Sequence, residues 1–154
     1  MIGVLIIAHA PLASAMAAAA SHVYTCMPDR ASVQLRTLDV GPSDSVPGSE
    51  ALARALIAEI DRGEGVLVMT DAFGATPGNV ASALAEPGRV AVIAGVNLPM
   101  LLRVVCYREA VLAEITEKAL AGGTQGVMQV AATPVQNQGF VPGANDHARI
   151  HHQQ

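Results

Sequence analysis

Residues 2–8 form an almost unbroken apolar run, rich in β-branched types, and His9-Ala10-Pro11 ends it abruptly. A strand with one wet face would alternate apolar with polar residues, so an unbroken run of this length predicts a strand buried on both faces. Such strands belong in parallel sheets whose two faces are covered by helices. Pro11 then suits a first helical turn, and the alanine-rich residues 12–24 have strong helix propensity. Strand therefore gives way to helix across His9 and Ala10.

The same alternation repeats along the chain. Residues 32–38 are predicted as a second strand, 41–47 as a loop, and 49–62 as a helix with Ser49 as its N-cap. Gly63 and Gly65 punctuate its end. Residues 66–70 form another short apolar strand, followed by a turn-rich stretch at 71–79 and a short helix to about residue 85. Residues 89–96 read as a fourth strand. From Asn97, with Pro99 in the first turn, one long helix is predicted to run to residue 121, where Gly122-Gly123 stops it. Residues 126–131 suit a last short strand. The expected fold is α/β, a doubly wound, mostly parallel sheet with helices on both faces. Open sheets of this kind place their sites at the carboxyl ends of the strands. Beyond residue 131 the chain becomes rich in Pro, Gln, Asn, Gly and His, which predicts a domain over 1–131 and a disordered tail over 132–154.

Composition narrows the function classes. A chain of 154 residues is long enough to bury one substantial core without metal or disulfide staples. A formal net charge of −4 and only 3% aromatic residues argue against a nucleic-acid surface, which needs a basic stripe and stacking side chains. Cys26 and Cys106 form no CxxC pair and no Cys/His cluster at zinc spacing, which fits a reducing cytoplasm and no metal. No apolar run approaches the ~20 residues that span a bilayer, so an integral membrane protein is not expected. Residues 1–20 lack the basic leading segment of a signal peptide, and His9-Ala10-Pro11 interrupts their apolar run. They read as part of the fold.

Two polar residues close two of the predicted strands, His9 after the first and Asp71 after the third. In a doubly wound sheet both emerge on one edge. A histidine there lies near a helix N-terminus, whose unpaired N–H groups and dipole favour a phosphate. Asp71, accepting a hydrogen bond from one ring N–H, would leave the other nitrogen as a nucleophile and stabilise the ring's charge after attack. Gly74, Ala75 and Thr76 add backbone N–H groups and a hydroxyl suited to phosphate oxygens. Each residue also has a plain structural reading: His9 as a hydrogen-bonded strand end, Asp71 as a turn or cap residue, Thr76 as a helix start before Pro77. The glycines match neither GxxxxGK[ST] nor GxGxxG, so a nucleotide cofactor is not indicated. His22 reads as a helix-surface residue. His147, His151 and His152 fall in the predicted tail, where weak metal binding is the lesser reading.

Three stretches together resemble the signature regions of the mannose-family IIA component of the bacterial phosphoenolpyruvate-dependent sugar phosphotransferase system. They are Ile2-Gly-Val-Leu-Ile-Ile-Ala-His-Ala10, Asp71-Ala-Phe-Gly-Ala-Thr-Pro-Gly-Asn79 and Val92-Ile-Ala-Gly-Val-Asn-Leu-Pro-Met100. The resemblance covers residues 1–131. It implies a cytoplasmic phosphotransferase that carries a phosphoryl group on His9, charged by the phosphocarrier protein HPr and discharged to a IIB component, with Asp71 bonded to the ring. It also implies phosphate contacts at Ala10, Gly74, Ala75 and Thr76, no cofactor, and a homodimer in which residues 126–131 extend the partner's sheet antiparallel to its neighbours. Asn97 to Met100 is expected to be structural. Two positions depart from the family pattern, which has glycine where this chain has Ala10 and Ala75; a methyl group at either narrows the approach to the site. The chain stops without a linker and IIB domain, so its acceptor is expected to be a separate protein.

Other readings stay open at this level. One is a regulatory module whose phosphorylation state is sensed without sugar transport. Another is the phosphocarrier subunit of a dihydroxyacetone kinase, although the Phe-Gly-Ala-Thr-Pro stretch fits the mannose type better. A third is a non-catalytic small-ligand binding module of flavodoxin-like shape. The sugar, if there is one, is not disclosed.

Overall fold

The computed structural model describes residues 1–24 and 35–130. Cys26, the start of the predicted second strand, the histidine-bearing tail and residue 131 lie outside the described residues. Four strands, β1 (Gly3–His9), β2 (Leu35–Val40), β3 (Val66–Thr70) and β4 (Val90–Ala94), alternate with α1 (Leu12–Tyr24), α2 (Val46–Ile60) and α3 (Thr76–Ser82); α4 (Leu98–Cys106) and α5 (Leu112–Gln125) follow. The strands form one parallel sheet in the order β2-β1-β3-β4. His9 pairs with Val40, and Ile7 with Thr70, so the ends of β1, β2 and β3 lie side by side.

The unbroken apolar run of β1 is explained by its central place, because its alternate side chains enter different cores. Val4, Ile6 and Ala8 pack with Leu67 and Met69 against α1, α4 and α5. Leu5 and Ile7 pack with Val66 and Val68 against Ala53, Ile57 and Ile60 of α2 and Val80 and Ala81 of α3. Residues 4–8 are fully buried. Both faces of the sheet are covered, as predicted.

Several expectations need correction. The long helix predicted over 97–121 is two helices. Tyr107 leaves helical geometry (φ −110°, ψ 17°), and the Ala110 amide closes a turn on the Tyr107 carbonyl at 2.8 Å. The turn lets α5 fold back on α4, so that Leu101 and Val104 of one and Ile115 and Ala119 of the other enter the same core. Gly122 and Gly123 do not stop a helix but lie inside α5. A Cβ on Gly122 would come within 2.8 Å of the Arg103 side chain, and one on Gly123 within 2.6 Å of Met100, so these glycines let the two helices approach closely. The cap of α2 is Ser45 rather than Ser49: Ser45 Oγ accepts from the Gly48 amide at 3.2 Å, with Pro47 in the first turn, whereas Ser49 is buried. Residues 126–130 form no strand within the single chain. Among the described residues no strand pairs with them, and Val127, Met128 and Val130 stay largely exposed.

Candidate functional site

The site is built where β1 and β3 end. The strand register brings His9, the last residue of β1, beside the β3 terminus, and Asp71 follows directly after Thr70. Asp71 Oδ2 accepts two hydrogen bonds from His9, one from the backbone amide at 3.0 Å and one from ring Nδ1 at 2.6 Å. Its other oxygen, Oδ1, accepts from the Ala72 amide at 2.8 Å and from the Thr70 hydroxyl at 3.4 Å. The carboxylate is thus held by both oxygens, with its side chain 12% exposed.

Burial pushes the Asp71 carboxyl upward, but hydrogen bonds from the His9 amide, the His9 ring and the Ala72 amide outweigh it and hold the group below the usual carboxylate range. An ionised carboxylate only accepts, so Nδ1 carries the proton and Nε2 of the neutral ring has the free lone pair. The His9 side chain is 56% exposed. A hydrogen-bonded, oriented imidazole with its second nitrogen open to solvent is a nucleophile with its orienting partner in place.

The remaining predicted residues lie on the chain segments that follow His9 and Asp71. Ala10 follows His9, and its amide is engaged with the Val40 carbonyl at 3.0 Å; the Ala10–Pro11 peptide is cis. Gly74 adopts φ +82°, a left-handed conformation that a side chain disfavours, and brings the chain round to Ala75 and Thr76 at the start of α3. Ala75 is the N-cap of α3 and offers no side-chain hydrogen bond to its first amides. Thr76 is exposed.

Four further residues take a part at this edge, of which only Asp39 was not named from the sequence. Asp39, at the end of β2, accepts from the Ser14 amide at 3.2 Å in the first turn of α1. Gly78 lies so close to the site loop that a Cβ there would come within 2.3 Å of the Ala72 carbonyl oxygen. Asn97 caps α4 by accepting from the Met100 amide at 2.9 Å and donates to the Gly123 carbonyl at 3.2 Å, while the Gly95 and Val96 amides both reach the Thr70 carbonyl. Phe73 is 89% exposed beside the pair. Phe73, Gly78 and Asn97 lie in the three signature-like stretches of the sequence, whereas Asp39 had no sequence signal. Among the described residues no group of His, Cys, Asp and Glu could hold a metal, and no helix is long and apolar enough to cross a membrane.

Comparison with known proteins decides the family. A family model described as the PTS system fructose IIA component matches residues 3–120. The mannose-specific EIIAB component of the phosphotransferase system of Escherichia coli K12 is 34% identical over 114 residues, 69% of this chain. The chain belongs to the mannose-type IIA family of the phosphotransferase system. It spans about a third of that two-part relative, 35% of its length. The fold of this IIA chain agrees with that of the mannose/sorbose specific IIA subunit from Enterococcus faecalis, with a TM-score of 0.71 at 22% identity, covering 86% of this chain and 96% of the other. An EIIA component from Streptococcus agalactiae gives 0.70 at 21% identity, covering 84% and 97%. Membership implies a phosphotransferase role in general terms.

Proposed function

We propose that this IIA chain is a cytoplasmic phosphohistidine carrier, which accepts a phosphoryl group from HPr on Nε2 of His9 and passes it to a IIB component. The observation that carries the reading is the 2.6 Å contact between His9 Nδ1 and Asp71 at the carboxyl edge of the sheet, which in the neutral ring puts the proton on Nδ1 and the lone pair on Nε2. The Nε2 lone pair attacks the phosphorus of the donor, a P–N bond forms as the donor's own P–N bond breaks, and the donor's electron pair returns to its imidazole. Nδ1 keeps its proton throughout, and the Asp71 carboxylate stabilises the positive charge that the ring gains. Discharge to the acceptor is the same step in reverse. Gly74, Ala75 and Thr76 receive the phosphate oxygens through the loop's amides and the Thr76 hydroxyl. Ala10 sits against the phosphorylated ring and limits the room for a partner's approach.

The same reading assigns residues 126–131 to a homodimer. Val127, Met128 and Val130 are largely exposed among the described residues, and β4 is an edge strand of the sheet. Pairing these residues with a partner's sheet buries the apolar side chains and closes an open edge.

The test is labelling of the purified protein by phosphoenolpyruvate, enzyme I and HPr. Wild type acquires an acid-labile, base-stable adduct and His9→Ala acquires none. Equal labelling of His9→Ala refutes the proposal.

A further inference from the structure

We propose that Phe73 is the anchor through which the His9 site docks its phosphoryl-exchange protein, and that this partner presents an apolar socket within a positively charged face. The inference rests on the reading of His9 as a phosphoryl carrier and names what that carrier's partner must look like.

Phe73 lies two residues beyond Asp71 and is 89% exposed, although burying a phenyl ring is among the larger favourable terms open to a small domain. The loop that presents it is tightly built. Asp71 Oδ1 holds the Ala72 amide at 2.8 Å, Gly74 turns the chain at φ +82°, and the lack of a side chain on Gly78 lets α3 press against the Ala72 carbonyl. A second exposed apolar side chain, Leu12, stands three residues beyond His9 at the start of α1. The reactive ring is therefore flanked along both chain segments by apolar groups in contact with water. An aromatic side chain on a rigid loop loses little conformational entropy on docking, which is the usual character of an interface anchor.

Charge narrows the partner further. The segments that form this edge, residues 9–14, 39–49, 71–79 and 94–99, contain no lysine or arginine. They carry Asp39, Asp44 and Asp71, with the first two engaged with the backbone amides of Ser14 and Gly41. A phosphoryl group on His9 adds further negative charge to an edge that has no cation of its own among the described residues. A face with opposite charge is drawn to such an edge and oriented on it, whereas a nucleic acid is repelled. Protein cover also keeps water from the exposed phosphohistidine during exchange.

The experiment compares two phosphoryl donors on the full chain: phospho-HPr, which must dock, and phosphoramidate, which releases ammonia as its P–N bond is replaced by the bond to Nε2 and needs no docking surface. Phe73→Ser is expected to raise KM for phospho-HPr roughly tenfold or more with kcat little changed, and Phe73→Leu to restore most of the loss. The phosphoramidate rate stays at the wild-type value in both variants. Raising the ionic strength slows charging by phospho-HPr and leaves the phosphoramidate reaction unaffected. An unchanged KM in Phe73→Ser overturns the anchor, and so does an equal loss with phosphoramidate, which would mean a collapsed loop. In both cases His9 labelling of wild type leaves the carrier reading standing. Wild type that neither donor labels overturns the carrier reading and the anchor with it.

Discussion

The two edges of the parallel sheet handle charge in opposite ways. At the amino edge, Arg36 Nε bonds Glu59 at 3.1 Å, and Arg89 joins Asp61 at 2.9 Å and Glu86 at 3.3 Å. The chain's amino terminus pairs with Glu64 there as well. Asp61 also accepts from the Gly63 amide at 2.9 Å, closing the turn after α2. The Arg89 guanidinium first, then the Gly63 amide, holds its carboxyl below the usual carboxylate range against a smaller effect of burial. At the carboxyl edge the His9–Asp71 pair makes no ion pair to a lysine or arginine among the described residues, and Phe73, two residues after Asp71, is exposed. The amino edge balances its charges with ion pairs, while the carboxyl edge holds the His9–Asp71 pair and a largely exposed Phe73. The charged side chains are thus paired at one end of the strands and the candidate site lies at the other.

The largest effect expected to sharpen this contrast is at His9 itself. His9→Ala should lose acid-labile labelling entirely, whereas Asp61→Ala on the other edge should keep the wild-type rate; a labelling defect in Asp61→Ala would break the division between the edges. Removing Asp71 comes next. Asp71→Ala should charge about 10²-fold more slowly, because the ring loses its orienting acceptor and the stabilisation of its developing charge, while circular dichroism shows an unchanged fold.

Gly78→Ala should cost about 1–3 kcal/mol of stability in urea melts, since the added methyl meets the Ala72 carbonyl oxygen across a packed contact. If it cost nothing, the site loop would be looser than its contacts imply. The pH dependence tests the same edge. The folded-state pKa of Asp71 lies below its ordinary value of 3.8, so its stabilising contribution is complete above that value and is lost as pH falls through the lower, folded pKa. The stability gap between wild type and Asp71→Asn should therefore be present at pH 7 and shrink below about pH 4; a gap that widened in acid would reverse the assignment. The smallest effect belongs to the amino edge. Asp61→Ala should lower the melting temperature by only a few degrees, because ion pairs in contact with water contribute little and the loss falls mainly on the capped turn.

Much of the architecture could be read along the chain because it depends on local pattern. The unbroken run before His9 could only be a strand with two covered faces, and the glycines at 63 and 65 marked the end of α2, where both take positive φ. Errors arose where tertiary contacts overrule propensity. Tyr107 to Val111 contain no glycine or proline, so nothing local announced the break between α4 and α5. Gly122-Gly123 looked like a stop because glycine usually is one, yet the close approach of Arg103 and Met100 uses both inside a helix. Ser49 had the composition of a cap, but Ser45 and Pro47 start α2 one turn earlier.

The candidate site followed the same division. His9 and Asp71 could be paired in advance because both close strands, and parallel topology carries strand ends to one edge. Phe73 was visible only as a residue type, since exposure is a property of everything around a side chain. Asp39 had no signal, because its partner Ser14 is 25 residues away on another element, and the Asn97 bond to Gly123, 26 residues on, and the close approach of Gly78 to Ala72 could not be read from the chain either.

The sequence by itself determined the buried parallel sheet, its carboxyl-edge site and the His9–Asp71 pair, because apolar period and strand ends are local features that fix which face and which edge a residue reaches. Tertiary structure alone decided the fold-back of α5, the tightly held loop that leaves Phe73 in water, and the pairing of Arg36 and Arg89 with carboxylates at the amino edge. These depend on which distant surfaces meet, and the free energy of such contacts is not contained in any short stretch of chain.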